Sequence, residues 1–348
     1  EFNNPKWQIN NSINTKEKLV KLIPDRFENI SENLFNKFSI TPYFWCLINH
    51  NENDSDPLAK QIIPDERENI KNSFLDIDPF SEQSKSPEKQ LIKRYSDRVL
   101  VVTSNICPSY CRYCTRKWNW DKGQTIADKE LIKIVEYLKE NKNIREVIIS
   151  GGEPFLLSVA FLERIIQNII TIPTIEVIRV ATRILSFLPQ KITKNLTLML
   201  KKYRPIWIVT HFNHPNEITP ETVNAVNKLL DAGVSIVNQS VLLKGVNEDF
   251  ETLKRLFYDL TTLGIKPYYL FNCDLVSGTH HFRADFDIGL KIIEDLRGNV
   301  GGICIPNLIV DLPHGGKVPI LPDYIIEKNK TNLKLKNYQG KIFDYPLG

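Results

Sequence analysis

From about residue 98 onward the chain alternates short apolar runs with longer amphipathic ones, and this alternation restricts its fold more than any other feature. Strand-like segments fall at 98–104, 146–150, 176–182, 206–212, 234–241 and 266–271. Between them, apolar residues at helical spacing cover 128–139, 161–170, 193–202, 220–232 and 250–263. Consecutive parallel strands need a crossover, usually a helix, and a series of such units builds a parallel sheet that curls toward a barrel. Six units rather than eight predict an α/β fold with a partial, open (β/α)6 TIM-like barrel.

Ahead of the alternation, the stretches 15–22 and 30–38 have apolar residues at helical spacing, while 51–57 and 76–87 are loops by their Asp, Asn, Ser and Pro content. The expected division is a helical region over 1–95, the barrel over 96–300 and a C-terminal segment over 301–348.

Composition excludes several classes. The chain has 348 residues, 42% apolar and 25% charged, as in soluble globular proteins. A net charge of +4 spread along the sequence is too mild for a nucleic-acid partner. No apolar run approaches the ~18 residues of a membrane span. The opening Glu1-Phe-Asn-Asn-Pro has neither the basic nor the apolar part of a secretory signal, and Glu1 in place of Met suggests a lost native start. Six cysteines, three of them in one tight run, make no disulfide scaffold and fit a reducing cytoplasm.

That run is Cys107-Pro-Ser-Tyr-Cys111-Arg-Tyr-Cys114, just after the first strand of the alternation. In βα barrels, chemistry sits at the C-terminal ends of strands. Thiolates suit iron–sulfur clusters and zinc. A structural zinc takes four N or S ligands, commonly with a second Cys pair or His, whereas Cys46, Cys273 and Cys304 are scattered singly. A 4Fe–4S cluster on three thiolates keeps one iron free of protein sulfur and able to chelate S-adenosylmethionine (SAM). The arrangement resembles the radical SAM superfamily, in which an electron from the cluster splits SAM into methionine and a 5'-deoxyadenosyl radical, and whose core is a (β/α)6 partial barrel.

The same resemblance implies further SAM contacts. Tyr113, just before the last cysteine, would lie near the adenine. The run Ser150-Gly151-Gly152-Glu153 ends the second strand, and its glycines let the backbone approach a ligand closely. It would hold the amino group of SAM's methionine. Gln239, at the end of the fifth strand, would be a further SAM-side residue.

Near the C-terminus stands Asp311-Leu-Pro-His-Gly315-Gly316-Lys317-Val-Pro. It is not a P-loop, because the G-x4-G-K-[ST] spacing is absent. On spacing alone Lys317 is a solvated turn lysine on a flexible, exposed loop, although its amine could form a Schiff base.

Six collinear blocks change that reading: 93–99, 107–116, 210–218, 238–243, 273–275 and 311–317. From about residue 40 to about 340 the chain resembles the lysine 2,3-aminomutase family. The resemblance implies an isomerase that moves the α-amino group of L-lysine from C2 to C3. It assigns the Schiff base with pyridoxal 5'-phosphate (PLP) to Lys317 and a place near the PLP phosphate to Arg94 and Tyr95. It gives Arg116 the substrate α-carboxylate, and Asp274 and Asp311 the distant ammonium. Two carboxylates facing one cation would suit lysine, or arginine next, and would repel glutamate. The class-distant alternative is a non-catalytic iron–sulfur or zinc protein. The expected partners are a small amino-acid substrate and an electron donor such as flavodoxin or ferredoxin, with homo-oligomerisation left open.

The chain departs from the family pattern in places. Its Gly-rich loop is shorter, with His314 where Gly is often found. Trp118 and Trp120 stand where basic residues are common. The family's C-terminal zinc cysteines are missing up to Gly348, which puts the zinc-linked subunit contacts of some relatives in question for this chain.

Overall fold

The computed structural model describes residues 1–23, 30–50 and 55–347. Part of the loop expected at 51–57, residues 51–54, lies outside the described residues.

A short strand β1 (Leu91–Ile92) lies antiparallel to β2 (Arg98–Val102) and opens the main sheet. There follow β3 (Glu146–Ser150), β4 (Val177–Ala181), β5 (Trp207–Thr210), β6 (Ser235–Leu242) and β7 (Lys266–Asn272), parallel to β2 and paired in chain order. These are the six expected strands. A seventh parallel strand, β8 (Asn307–Leu312), joins β7 after the helix Phe286–Leu296. Then β9 (Gly316–Ile320) turns back antiparallel against β8. Among the described residues β1 and β9 are the two edges, so the sheet is an open, partial barrel. It therefore takes in residues on both sides of the 96–300 span.

The expected helices are Asp128–Glu140, Val159–Ile170, Lys194–Lys202, Pro220–Asp231 and Phe250–Thr262. Four of them begin at a side-chain cap. The side-chain oxygens of Ser158, Thr193, Thr219 and Asp249 accept the N–H groups of Phe161, Leu196, Thr222 and Thr252, satisfying donors the helix itself leaves free. Their buried faces follow the 3.6-residue period, as Leu131, Ile134, Val135 and Leu138 do in the first helix. These faces pack on the outer side of the strands in one continuous apolar core.

A second core belongs to the N-terminal region, where Phe44 meets Phe187 edge-on at 4.9 Å and Thr41 Oγ1 donates to the Phe187 carbonyl. The helix Lys16–Leu22 forms as expected. The helix expected over 30–38 does not: the segment makes a single 3-10 turn, Glu32–Phe35. Asn33 and Asn36 are weak helix formers, Asn33 Nδ2 donates to Asn69 Oδ1 at 2.9 Å instead of supporting the turn, and Phe35 and Phe38 pack edge to face at 5.6 Å. At the other end β10 (Ile325–Lys328), β11 (Asn332–Lys336) and β12 (Ile342–Pro346) form a separate antiparallel sheet. No described helix is long and apolar enough to cross a membrane.

Candidate active site

Strand alternation sends one set of side chains inward. Glu146, Ile148 and Ser150, then Val177, Arg179 and Ala181, then Val237, Gln239 and Val241 line a cavity of about 910 Å³ inside the barrel. At Asn238/Gln239 the register against β7 shifts, a local irregularity of the kind that re-aims side chains. Twelve sequence-predicted residues line this one cavity: Arg94, Tyr95, Cys111, Tyr113, Cys114, Arg116, Ser150, Gly152, Gln239, Asp274, Asp311 and Lys317. Cys107, Gly151 and Glu153 do not line it.

The cysteine loop is held from below. Arg112 reaches back from it to Glu68, with Nε at 2.8 Å and Nη2 at 2.9 Å from the carboxylate, and Lys117 joins the same carboxylate at 2.9 Å. Burial, the other two thiols and Glu153 push the Cys107 thiol well up, and burial with Cys111 raises Cys114. Cys107 and Cys114, whose ionisation burial disfavours, need positive charge to become thiolates, which iron ions would supply. The hydroxyl of Ser109 in this loop is buried with no protein partner. Among the described residues no three His, Cys, Asp or Glu gather as they would round a single ion. Three thiols in one loop are a donor set that suits an iron–sulfur cluster.

The two glycines after β3 lie close against the cysteine loop. A Cβ on Gly152 would stand 2.3 Å from the Ile106 carbonyl oxygen, and one on Gly151, at φ +126°, 2.3 Å from that of Ser104. Their close neighbour is the cysteine loop itself, and the Gly152 and Glu153 N–H groups donate to Ser104 and Ile106. Glu153 is also turned toward protein. Its carboxylate accepts from Thr182 Oγ1 at 2.6 Å, Arg183 N at 2.9 Å and Phe155 N at 3.0 Å, and burial still lifts it to about 7. Within the motif, Ser150 and Gly152 are the ones that face the cavity.

Above them lies a buried polar network absent from the sequence reading. The Tyr113 hydroxyl meets His211 Nε2 at 3.0 Å, Asn213 Nδ2 at 2.6 Å, Gln61 at 3.2 Å and the Arg183 guanidinium. Arg183 Nη1 donates to Cys111 Sγ at 2.8 Å, while Nη2 pairs with the fully buried Glu217 at 3.1 Å. Burial and the Arg183 charge depress His211 to about 3, so it is neutral. Arg183 could have been found by position, because it follows β4 where Ser150 ends β3.

Lys317 is not on an exposed loop. It lies in β9, its side chain about 30% exposed, opposite Asp311 in β8. Its Nζ is 3.3 Å from Asp311 Oδ2 and 5.7 Å from the ring centres of Tyr95 and Phe271. The Tyr95 hydroxyl accepts the Lys317 backbone N–H at 3.0 Å. Arg94 grips Asp311 in a fork at 2.6 and 3.1 Å and lies 4.2 Å over the Phe80 ring. Thus Arg94, expected near a phosphate, and Asp311, expected on an ammonium, are each other's partners here. A ligand enters as a third group. Enclosure, then the nearby Asp311, pushes Asp274 to about 7 against the pull of Lys317, Arg94 and Arg283. Arg116 is paired as well, with Glu82 at 2.8 and 2.9 Å.

An open parallel barrel with three cysteines after its first parallel strand defines a radical SAM enzyme, and residues 101–257 match the Radical SAM superfamily. Residues 293–347 match the family described as Lysine-2,3-aminomutase. The chain is 42% identical over 351 residues to L-lysine 2,3-aminomutase of Acetoanaerobium sticklandii, covering 99% of this chain and 84% of that protein. It is 40% identical over 352 residues to that of Clostridium subterminale, with the same coverages. To glutamate 2,3-aminomutase of Clostridioides difficile it is 38% identical over 348 residues, covering 98% and 82%. The chain belongs to the lysine 2,3-aminomutase family and is an isomerase. Membership in the superfamily implies a 4Fe–4S cluster and SAM.

Proposed function

We propose that the protein converts L-lysine to β-lysine by moving the α-amino group from C2 to C3. In this reading Cys107, Cys111 and Cys114 hold the cluster, while Tyr113, Ser150, Gly151, Gly152, Glu153 and Gln239 surround SAM. Glu153 would act indirectly, through the backbone it staples. Lys317 carries PLP, with Arg94 and Tyr95 near its phosphate. When bound, the cluster and SAM supply a 5'-deoxyadenosyl radical and PLP delocalises the unpaired electron of the substrate.

The observation that carries the reading is that two carboxylates, Asp274 and Asp311, share a cavity with Lys317 and Arg116. Arg116 suits the α-carboxylate by its planar fork. Asp274 and Asp311 suit a distant ammonium. A glutamate side chain would meet like charges there, whereas the guanidinium of arginine would not. Lys317 Nζ, 3.3 Å from Asp311 Oδ2, is the amine that would act as the nucleophile toward PLP. The Tyr95 and Phe271 rings flanking it limit access of water. The electron comes from a small carrier such as flavodoxin or ferredoxin.

The test is an anaerobic assay of iron-reconstituted protein with PLP, SAM and a reductant, on lysine, arginine and glutamate separately, read by mass spectrometry and NMR. β-Lysine from lysine alone is expected. β-Arginine would move the specificity, and 5'-deoxyadenosine without any β-amino acid would overturn the aminomutase reading.

A further inference from the structure

Glu82 lies in the segment 76–87, whose Pro and Ser content marked it only as a loop. Yet it is 4% exposed, unusual for a loop carboxylate. The segment is built to hold it. Asp78 accepts the backbone N–H groups of Glu82 and Gln83, each at 3.0 Å, and Ser86 Oγ donates to the Glu82 carbonyl at 2.8 Å. Its carboxylate then takes one edge of the Arg116 guanidinium: Nε donates to Oε2 at 2.9 Å and Nη2 to Oε1 at 2.8 Å. Among the described residues Nη1 of Arg116 has no hydrogen-bond partner, and both side chains line the cavity.

A guanidinium offers five N–H donors in a rigid plane. Fixing one edge fixes the direction of the remaining donors, which a free arginine on a flexible stem would lose to rotamer freedom. We propose that Glu82 is the positioning residue that aims Arg116 at the substrate carboxylate, holding its Nε–Nη2 edge and leaving Nη1 for the ligand. This rests on the reading of Arg116 as the carboxylate receiver. A purely structural ion pair would stabilise the fold but would not discriminate between ligands with and without a carboxylate.

The experiment uses PLP- and iron-loaded protein without SAM under anaerobic conditions. Binding of L-lysine and of cadaverine, the same diamine without its carboxylate, is followed through the visible absorption of PLP. Glu82→Gln is expected to weaken lysine about tenfold, the scale of one charge-assisted hydrogen bond, and to leave cadaverine unchanged. Glu82→Asp, which keeps the charge, is expected to show a smaller loss confined to lysine, and serves alone if the Gln variant does not fold. Lysine binding at parental strength, or equal weakening of both ligands, overturns the proposal. Arg116→Gln separates the two failures. If it retains the preference for lysine over cadaverine, the carboxylate reading itself falls and the proposal with it. If it loses the preference while the Glu82 variants keep theirs, only the role of Glu82 falls.

Discussion

Asp311 and Lys317 face each other across the antiparallel pair β8 and β9, with Nζ 3.3 Å from Oδ2. The same carboxylate is forked by Arg94, so one buried anion balances two cations. Asp311→Asn removes the carboxylate that both cations contact directly, the costly outcome for a buried pair. The distant ammonium also loses a partner. We expect PLP to remain attached, seen in its visible absorption, and turnover of lysine to fall at least about tenfold. Lys317→Ala is expected to abolish that absorption. Its survival would place the Schiff base on another residue.

Asp274 supplies a pH dependence. Its carboxyl is raised to about 7 by enclosure and by Asp311. Below that value it is neutral and offers an ammonium no charge, and above it the anion is present. Affinity for lysine should therefore rise as pH increases through about 7. In Asp274→Asn this rise should disappear and the affinity stay low throughout, as calorimetric titrations of the PLP-loaded protein at several pH values would register. The same shift acts on stability with opposite sense. The folded state keeps a proton that the unfolded state releases near 3.8, so this group's contribution to stability falls as pH rises from there to about 7.

Gly152→Ala forces a methyl to within 2.3 Å of the Ile106 carbonyl unless the loop moves. Because Ile106 precedes Cys107, the displacement is transmitted to the thiols. Lower iron content and a weaker cluster EPR signal after reconstitution are expected, with about 1–3 kcal/mol of lost stability. Full iron loading would show that the contact is slack.

Glu68 should matter for stability before catalysis. It binds Arg112 and Lys117 with side-chain exposures of 5%, 3% and 13%. Glu68→Gln leaves those charges underpaired, at a cost of about 3–5 kcal/mol in urea unfolding. The two cations hold its carboxyl below the ordinary 4.5. The parent's stabilisation is thus complete above that value and lost as pH falls through the lower folded one. The variant should lack this acid-range loss.

Six strands and their helices were legible because period-2 and period-3.6 runs alternate from Arg98 to Asn272, apart from the cysteine loop after the first strand. β8 was not, since its six residues follow a Pro and abut the glycine-rich turn that drew attention to Lys317. The cysteine run stands out by its spacing, and Lys317 is singled out only by its family block. Its setting was misjudged because Gly-Gly suggests a loose loop, whereas here it closes a hairpin. Glu82 had no local signature, and Arg183 had only its place just after β4. Each acquires its partners from segments distant in sequence, so the folded chain is what shows what they hold.

The hairpin that carries Lys317 also bears on the shortened glycine-rich turn. His314 at φ 61° and Gly316 at φ 79° make that reversal, and additional residues there would change only the shape of the bend. Slippage of β9 by a single position is another matter, because every side chain of a strand then exchanges faces. The amine would be carried outside the barrel and Gly316 or Val318 would take its place against Asp311. Natural variation in this turn is therefore expected to alter its length freely while preserving which residue of β9 lies across from Asp311.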